Sequence, residues 1–240
     1  MNWFKNWFDS KYYHILYKNR NDTEAKLFID NIINHLSINK DSKVIDVACG
    51  KGRHAIYLNK IGFYVHGIDL SKESIEIARK YENKTLHFSV HDMRKTYRYN
   101  YFDLSMNLFT SFGYFSNNQH NKDAINAMKN NLKEGGIQII DFMNIENTLT
   151  NLVHEEEKIV EKITFNIKRS IKESYIVKDI DIQDKDRHEN FQEKVKILTL
   201  DDFHHLIKDA GLKIIDIFGD YKLRPFNKKD SKRLIIICKK

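Results

Sequence analysis

A short segment rich in small residues, Val44–Arg53, is the part of the sequence best suited to hold a ligand. Gly50 and Gly52 flank a lysine there, and Ala48 stands two residues before the first glycine. Small residues let the backbone approach a ligand closely, and a helix that begins at such a turn presents free N–H groups. Because the segment follows the apolar stretch Lys43–Val47, it is expected to join a strand to a helix.

Three aspartates mark the ends of successive predicted strands. Asp46 precedes the turn, Asp69 ends the next strand, and Asp92 follows the third. The carboxyl ends of parallel strands form the crevice where open α/β sheets bind ligands, so these side chains are expected to line it. There, Asp69 can accept hydrogen bonds from both hydroxyls of a ribose, and Asp92 can accept one from an adenine amino group. Taken singly, Asp69 could equally cap a helix and Asp92 stabilise a turn.

Two classes of nucleotide-binding protein fit the turn. Gly50, Gly52 and Ala55 match the dinucleotide fingerprint G-x-G-x-x-A, which is a weak signal on its own. The spacing Asp46-x-Ala48-x-Gly50-x-Gly52 resembles the first motif of the class I S-adenosylmethionine-dependent methyltransferases, where Ala is a common variant of the first glycine. A dehydrogenase would more often carry its fingerprint at the start of the chain. It would also need a second domain for its substrate, for which 240 residues leave little room. The methyltransferase resemblance is therefore the favoured interpretation.

The resemblance covers roughly residues 40–145 and does not depend on the first motif alone. Gly67–Ser71 resembles the family's ribose-binding strand end, and His91–Arg94 resembles its adenine-binding turn. Phe102–Leu108 resembles the fourth strand, which borders the reacting methyl group in the family. Four features in the right order are more specific than any one of them.

The resemblance implies a cofactor and the residues that bind it. The cofactor is S-adenosylmethionine, and S-adenosylhomocysteine is the product left after methyl transfer. The residues implied to bind it are Asp46, Ala48, Gly50, Gly52, Asp69, Leu70, Asp92, Met93, Asn107, Leu108 and Arg20. With three aspartates among them, this crevice is expected to be locally acidic.

The N-terminal segment Tyr12–Arg20 resembles the lid helix of small-molecule members of the family. In those members, tyrosines close over the methyl group and a basic group meets the methionine carboxylate. By this resemblance Tyr13 or Tyr17 lies near the methyl group, and Arg20 binds the carboxylate. His14 is a candidate base, so Tyr17, His14 and Tyr13 are the predicted catalytic residues. Packing of the tyrosines and surface positions for His14 and Arg20 are the alternatives.

The residues after the fourth strand predict the acceptor class. In several amino-group methyltransferases of nucleic-acid bases, this loop holds an Asn/Asp-Pro-Pro-Tyr/Phe motif, and Asn107–Phe115 contains no proline, so that subclass is disfavoured. Cytosine C5 methylation would need a cysteine nucleophile on this loop or a neighbouring one, and neither Cys49 nor Cys238 fits. An aromatic, hydroxyl-bearing wall suits a small organic acceptor, attacked through N or O. Aligning that acceptor is the main task, and a base is needed only if it carries a proton that must leave. The predicted acceptor-binding residues are Tyr114, Phe112, Asp141, Asn144 and Arg187.

The elements that must position these residues alternate between strand and helix. This rhythm predicts an α/β fold with a doubly wound, mostly parallel seven-stranded sheet, as in the Rossmann-like methyltransferase fold. After Asn144, three stretches alternate charged and apolar residues, which predicts antiparallel strands with one solvent-exposed face. They are Lys158–Ser170, Tyr175–Ile182 and Phe191–Leu198. The chain is thus expected to be a single methyltransferase domain, 1–240, with an N-terminal helical lid, 1–38, and an inserted antiparallel cap, 153–198. The cap's alternative use is an edge for dimerisation.

Length and composition exclude several classes. The 240 residues are 41% hydrophobic, which is ample for one packed core and excludes a wholly disordered chain. Two cysteines cannot build a disulfide framework or a four-thiolate zinc site, and no metal site is predicted. No apolar run approaches the ~20 residues that a bilayer needs, and the N-terminus is too polar for a signal-peptide core. The expected location is the cytoplasm, with no membrane partner.

The formal net charge of +7 leaves the partner open. A basic surplus can attract nucleic acid, an anionic membrane or an acidic substrate, but this one is modest and spread along the chain. An RNA-modifying methyltransferase is therefore an alternative, although no RNA-binding appendage is recognisable. A non-catalytic S-adenosylmethionine-binding module is another. A monomer and a homodimer fit the sequence equally.

Overall fold

The computed structural model describes residues 3–18 and 22–240. The helices within these ranges are α1 (Trp3–Phe8), α2 (Lys11–Leu16), α3 (Asp22–Leu36), α4 (Arg53–Lys60), α5 (Lys72–Arg79), α6 (Asn118–Asn131), α7 (Ile145–Thr150) and α8 (Leu200–Asp209). The strands are β1 (Lys43–Val47), β2 (Tyr64–Asp69), β3 (Leu86–Val90), β4 (Phe102–Asn107), β5 (Leu132–Met143), β6 (Glu155–Val160), β7 (Ile163–Lys172), β8 (Tyr175–Asp184), β9 (Arg187–Lys196), β10 (Lys213–Phe218) and β11 (Arg233–Lys239).

The larger sheet has seven strands in the order β10-β11-β5-β4-β1-β2-β3. Strands β1 to β5 run parallel, β11 is antiparallel to β5, and β10 is antiparallel to β11. The predicted doubly wound, mostly parallel sheet is thus confirmed. Because the chain passes from β1 towards β2 and β3 and later returns to β4 on the other side of β1, a crevice opens at the carboxyl ends of β1 and β4.

Helices cover both faces of this sheet. On one face, α3, α4 and α5 contribute buried side chains such as Phe28, Leu58 and Ile75. On the other, α6 and α8 contribute Ile125 and Phe203. The short central strands are buried on both faces, which explains why they read as apolar runs in the sequence.

The second sheet is antiparallel, with the order β6-β7-β8-β9. It confirms the inserted antiparallel element, but the predicted strand Lys158–Ser170 is two strands with a turn at Glu161 and Lys162, whose φ values are +52° and +65°. Helices α1 and α2 pack on the apolar face of this sheet, where Trp7 and Phe165 are fully buried. The N-terminal helices thus lie against the inserted sheet.

Helix α8 begins at a capping box, and α6 passes directly into β5. Thr199 and Asp202 form the capping box. Helix α6 ends at Asn131 and β5 begins at Leu132, so Gly135 and Gly136 lie within the strand. The two glycines belong to β5 because Gly135 N donates to the carbonyl of Lys240, and Lys240 N donates to that of Gly136.

Within the described ranges, no helix combines the length and apolar character needed to cross a membrane.

Candidate functional site

The turn after β1 requires glycine for two reasons. Gly50 and Gly52 have φ values of +55° and +83°, in the left-handed region that favours glycine. A Cβ on Gly52 would also stand 2.6 Å from the ring of Phe88, whereas a Cβ on Gly50 would meet no atom within 4 Å. Ala48 adopts φ +61° despite its side chain. The backbone at Gly50 therefore faces open space, while Gly52 holds α4 close against the sheet.

Asp69 joins this turn to the end of β2. Its Oδ2 accepts a hydrogen bond from Gly50 N at 2.8 Å, and its Oδ1 accepts one from Ser71 N at 2.8 Å. Burial raises the pKa of Asp69, and the backbone hydrogen bonds from Ser71 and Gly50 oppose that rise. The carboxylate is thus fixed in direction at the floor of the crevice.

A cavity of about 400 Å³ opens above the turn, a size typical of small-molecule sites. The predicted site residues that it brings together are Tyr13, His14, Tyr17, Ala48, Gly50, Asp69, Leu70, Asp92, Met93, Leu108 and Tyr114. Residues that sequence reasoning missed also line it: Phe8, Lys18, Cys49, Lys51, Arg53, His54, Ser71, Ser74, His91, Arg94, Phe109, Ser111 and Phe115. Several of the missed residues are immediate neighbours of the predicted ones, and that adjacency was the available signal.

The expectation of a locally acidic crevice is wrong for this cavity. Its carboxylates, Asp69 and Asp92, stand among basic side chains that include Lys51, Arg53 and Arg94. Arg94 and Asp92 form an ion pair at 2.5 Å. Burial would raise the pKa of Asp92, but the hydrogen bonds and charge of Arg94 outweigh it, so the pKa is lowered. Asp92 therefore stays ionised at the cavity wall.

His14 of α2 lines the same cavity. Burial is the main cause that lowers its pKa to about 4, and the nearby charge of Lys51 adds to the effect. Its Nε2 is buried without a hydrogen-bond partner in the part of the chain that the structure describes. Near neutral pH the imidazole is thus uncharged and can accept a hydrogen bond through one ring nitrogen.

The N-terminal helices contact the loop after β4 through aromatic rings. The ring centroid of Phe8 is 4.9 Å from that of Tyr13 and 5.4 Å from that of Tyr114, and both pairs are edge-on. The ring centroids of Tyr13 and Tyr17 are 5.0 Å apart. These contacts give the cavity an aromatic wall opposite the glycine turn.

Three of the residues implied to bind the cofactor lie beneath the cavity and do not line it. Asp46 is 1% exposed, and burial raises its pKa to about 7; its carboxylate accepts a hydrogen bond from the backbone of Ala55, tying β1 to α4. Gly52 serves packing, as described above. Asn107 is fully buried and donates from Nδ2 to the carbonyl of Val47 at 3.0 Å, joining β4 to β1. Arg20 lies outside the described residues.

Asp141 was expected at the acceptor pocket, but it is fully buried behind the cavity wall. Its Oδ1 pairs with Arg233 at 2.8 Å, and its Oδ2 accepts from Phe109 N at 2.7 Å. Phe109 and Thr110 have φ values of +57° and +59°, and Arg233 Nη2 also donates to Thr110 Oγ1 at 2.9 Å. Asp141 thus holds a strained loop whose Phe109 ring lines the cavity, stacked against Tyr221 at 5.1 Å.

The other three misplaced acceptor residues have different surroundings. Phe112 is fully buried, with its ring 5.7 Å from that of Phe203 in the hydrophobic core. Asn144 is buried and donates from Nδ2 to the carbonyls of Lys228 and Ser231, where it fixes a C-terminal loop. Arg187 is exposed at the start of β9. Phe112, Asp141, Asn144 and Arg187 are thus not among the residues that line this cavity.

Among the described side chains, no group of three or more His, Cys, Asp or Glu is arranged to hold a metal ion.

The sequence matches the methyltransferase domain family over residues 38–211. It is 30% identical over 101 residues to dTDP-3-amino-3,4,6-trideoxy-alpha-D-glucopyranose N,N-dimethyltransferase of Streptomyces venezuelae, an alignment that covers 42% of each chain. The matches to curated relatives thus span less than half of their lengths.

Two solved structures share the fold over nearly the whole chain. An S-adenosylmethionine-dependent methyltransferase from Clostridium acetobutylicum ATCC 824 superposes with a TM-score of 0.80 at 19% identity, covering 95% of both chains. The S-adenosylmethionine-bound CalS10, an amino pentose methyltransferase from Micromonospora echinaspora, gives a TM-score of 0.70 at 18% identity, covering 96% of this chain and 97% of that one. With the family match over more than half of its residues, the chain belongs to the class I S-adenosylmethionine-dependent methyltransferases.

Proposed function

We propose that this chain transfers a methyl group from S-adenosylmethionine to an amino nitrogen of a small polar acceptor, with amino sugars as the favoured class. The observation that carries the proposal is His14, whose neutral imidazole lines the cavity and whose buried Nε2 has no hydrogen-bond partner among the described residues. A neutral imidazole nitrogen that accepts a hydrogen bond is a suitable partner for the N–H group of an amine substrate.

The floor of the cavity fits the cofactor. The open space above Gly50 leaves room for a ligand to approach the backbone, and Asp69 is fixed at the end of β2 in the position suited to a ribose. Asp92, kept ionised by Arg94, is placed to accept from an adenine amino group. Bound S-adenosylmethionine would supply an electrophilic methyl carbon at the aromatic side of the cavity.

The aromatic side fits a cationic or amino group. The rings of Phe8, Tyr13 and Tyr114 form a wall on which a positive charge is stabilised through its contact with π faces. The same rings exclude water, which strengthens each polar contact that remains inside. An acceptor amine held there has its nitrogen oriented before reaction, which is the main contribution a methyltransferase must make.

His14 has a defined task in this scheme. An alkylammonium carries no lone pair, so the acceptor must lose that proton to water and enter the site as the free amine. Neutral His14 then accepts a hydrogen bond from an N–H of the amine and orients the lone pair towards the methyl group. With its pKa lowered to about 4, His14 stays neutral throughout, and the methylated ammonium loses its proton to water after release.

The names of relatives support the amino-sugar class. The Streptomyces venezuelae relative is an N,N-dimethyltransferase of a dTDP-linked amino sugar, and the Micromonospora structure is of an amino pentose methyltransferase. Both descriptions belong to those proteins, and they make an amino sugar the first acceptor to test here.

Mass spectrometry with methyl-deuterated S-adenosylmethionine tests the proposal. The acceptors are dTDP-3-amino-3,4,6-trideoxy-α-D-glucopyranose, the same sugar with hydroxyl in place of the 3-amino group, and a free amino sugar. We expect deuterated methyl groups on at least one amine and none on the hydroxyl sugar. Methylation of the hydroxyl sugar, or no transfer to any amine by protein that binds S-adenosylhomocysteine, would contradict the proposal.

His14→Leu separates the role of the imidazole from that of the cavity. Leucine fills a similar space but cannot accept the hydrogen bond from the amine, so we expect kcat to fall about tenfold while S-adenosylhomocysteine affinity is retained. Exposed His204, replaced in the same way, is the matched control.

A further inference from the structure

One carboxylate of the inserted sheet holds two segments of the lid. Glu193 of β9 accepts from Trp7 Nε1 at 2.6 Å and from the Tyr17 hydroxyl at 2.8 Å, through the same Oε1. Its side chain is only 15% exposed. Trp7 belongs to α1 and Tyr17 directly follows α2, so this contact fixes both short helices against β9.

A lysine on the neighbouring strand completes the network. Lys178 of β8 is the register partner of Glu193, and its Nζ lies 3.4 Å from Glu193 Oε2. It donates to the Tyr17 hydroxyl and stands 4.7 Å above the centre of the Tyr17 ring. Since an ammonium only donates and a carboxylate only accepts, the Tyr17 O–H must point to Glu193. The phenol is thus fixed in position and in the direction of its proton.

Tyr17 lines the cavity, whereas Glu193 and Lys178 do not. Two residues of the inserted sheet that do not line the cavity therefore fix the orientation of Tyr17, which does. Helix α2 has six residues, a length that is marginal on its own and depends on tertiary contacts. Without the network, the Tyr17 ring would sample more orientations over the cavity.

We propose that Glu193 and Lys178 are positioning residues for the cofactor site, acting through Tyr17 and linking the inserted sheet to cofactor affinity. This inference rests on the proposed function, since it takes the cavity as the S-adenosylmethionine site. It gives the inserted sheet a role in binding the cofactor.

The competing explanation is that the network only stabilises the fold. A partly buried ion pair is often worth little to stability compared with apolar side chains of the same size, so stability alone explains its presence poorly. The two explanations differ in one measurable quantity. Positioning lowers cofactor affinity when the network is broken, whereas a stability role lowers the melting temperature and leaves the affinity of the remaining folded protein unchanged.

Calorimetric titration of S-adenosylhomocysteine into the full chain separates them. The variants are Glu193→Gln, Lys178→Met, Tyr17→Phe and the double variant Tyr17→Phe/Glu193→Gln. Glu189→Gln, at an exposed position near the start of the same strand, is the matched control. We expect each single variant to raise the Kd about tenfold, the size of effect typical of one lost hydrogen bond to a charged group. We expect the control to bind as the wild type does.

The double variant carries the sharper expectation. If Glu193 acts through the Tyr17 hydroxyl, removing both groups should cost little more than removing one, so the two losses should be strongly non-additive. Fully additive losses, or a Glu193→Gln protein with a lower melting temperature and an unchanged Kd, would overturn the inference. Tyr17→Phe removes a single oxygen atom and decides the question even if Lys178→Met does not fold. Wild-type protein that binds no S-adenosylhomocysteine would instead overturn the proposed function itself.

Discussion

At the scale of single residues, the glycine turn predicts a difference between two similar substitutions. Gly50→Ala places a Cβ in open space and should cost only the left-handed backbone term, about 1–2 kcal/mol. Gly52→Ala adds a contact at 2.6 Å with the buried Phe88 ring and should cost about 1–3 kcal/mol more. Urea unfolding of both variants measures the difference. Equal losses would show that Gly52 is not required for close packing.

Asp141 yields a second prediction at this scale. Asp141→Ala leaves Arg233 without its partner and frees the strained loop at Phe109, so it should reduce the free energy of unfolding by about 3–5 kcal/mol. Asp209 forms an exposed pair with Lys122, and Asp209→Ala is the matched control, expected to change little. Chemical denaturation compares them. Similar losses in the two variants would contradict the role assigned to Asp141.

Some site residues could be predicted from the sequence and others could not. Asp69 and Asp92 could, because Asp69 ends β2, Asp92 lies two residues after β3, and each belongs to a spaced motif. Asp141 likewise lies near the carboxyl end of β5, but its partner Arg233 is 92 residues away, and no local pattern reveals that pair. Phe112 lies in an irregular loop, where no periodicity tells which aromatic ring faces the cavity and which faces the core.

At the scale of elements, the capping box of α8 gives a local test. The Thr199 side chain accepts from the backbone of Asp202, and the Asp202 carboxylate accepts from Thr199 N at 2.8 Å. Thr199→Ala should cost about 0.5–2 kcal/mol, whereas Thr199→Ser keeps the hydroxyl and should cost much less. Thermal melts of both variants are sufficient. A serine variant as unstable as the alanine variant would show that the hydroxyl bond does not stabilise the helix.

Element order was predictable, while several boundaries were not. The alternation of apolar strands and helices sufficed for the order of β1 to β5, and the central strands β1 and β4 are buried on both faces. The turn between β6 and β7 was missed because it uses Glu161 and Lys162 at positive φ, residue types that rarely mark a turn. Strand β5 begins at Leu132, directly after α6, and this residue pairs with Phe102 of β4.

At the scale of the whole molecule, buried histidines should make stability depend on pH. Burial lowers the pKa of His66 to about 4, and charges of Arg98, His87 and Lys43 contribute. As pH falls from about 6.5 towards 4, the unfolded chain takes up this proton while the folded one does not, so stability is lost. His14 and His54 act in the same sense, and Asp46, with its pKa raised to about 7, partly offsets them.

Replacing one of these histidines should flatten the pH dependence. Between pH 6 and 5, His66→Gln should lose less stability than the wild type, by up to about 1.4 kcal/mol per pH unit for one proton. His204→Gln, at an exposed position, should keep the wild-type slope. Denaturant unfolding at the two pH values measures both. An unchanged slope in His66→Gln would contradict the lowered pKa of His66.

The central claim concerns the whole molecule: the cavity between the glycine turn and the lid binds S-adenosylmethionine. Its most direct test is a calorimetric titration of the full chain with S-adenosylhomocysteine and, separately, with NAD. The account predicts saturable binding of S-adenosylhomocysteine at one site per chain and no binding of NAD. Binding of NAD alone, or of neither ligand, would contradict it.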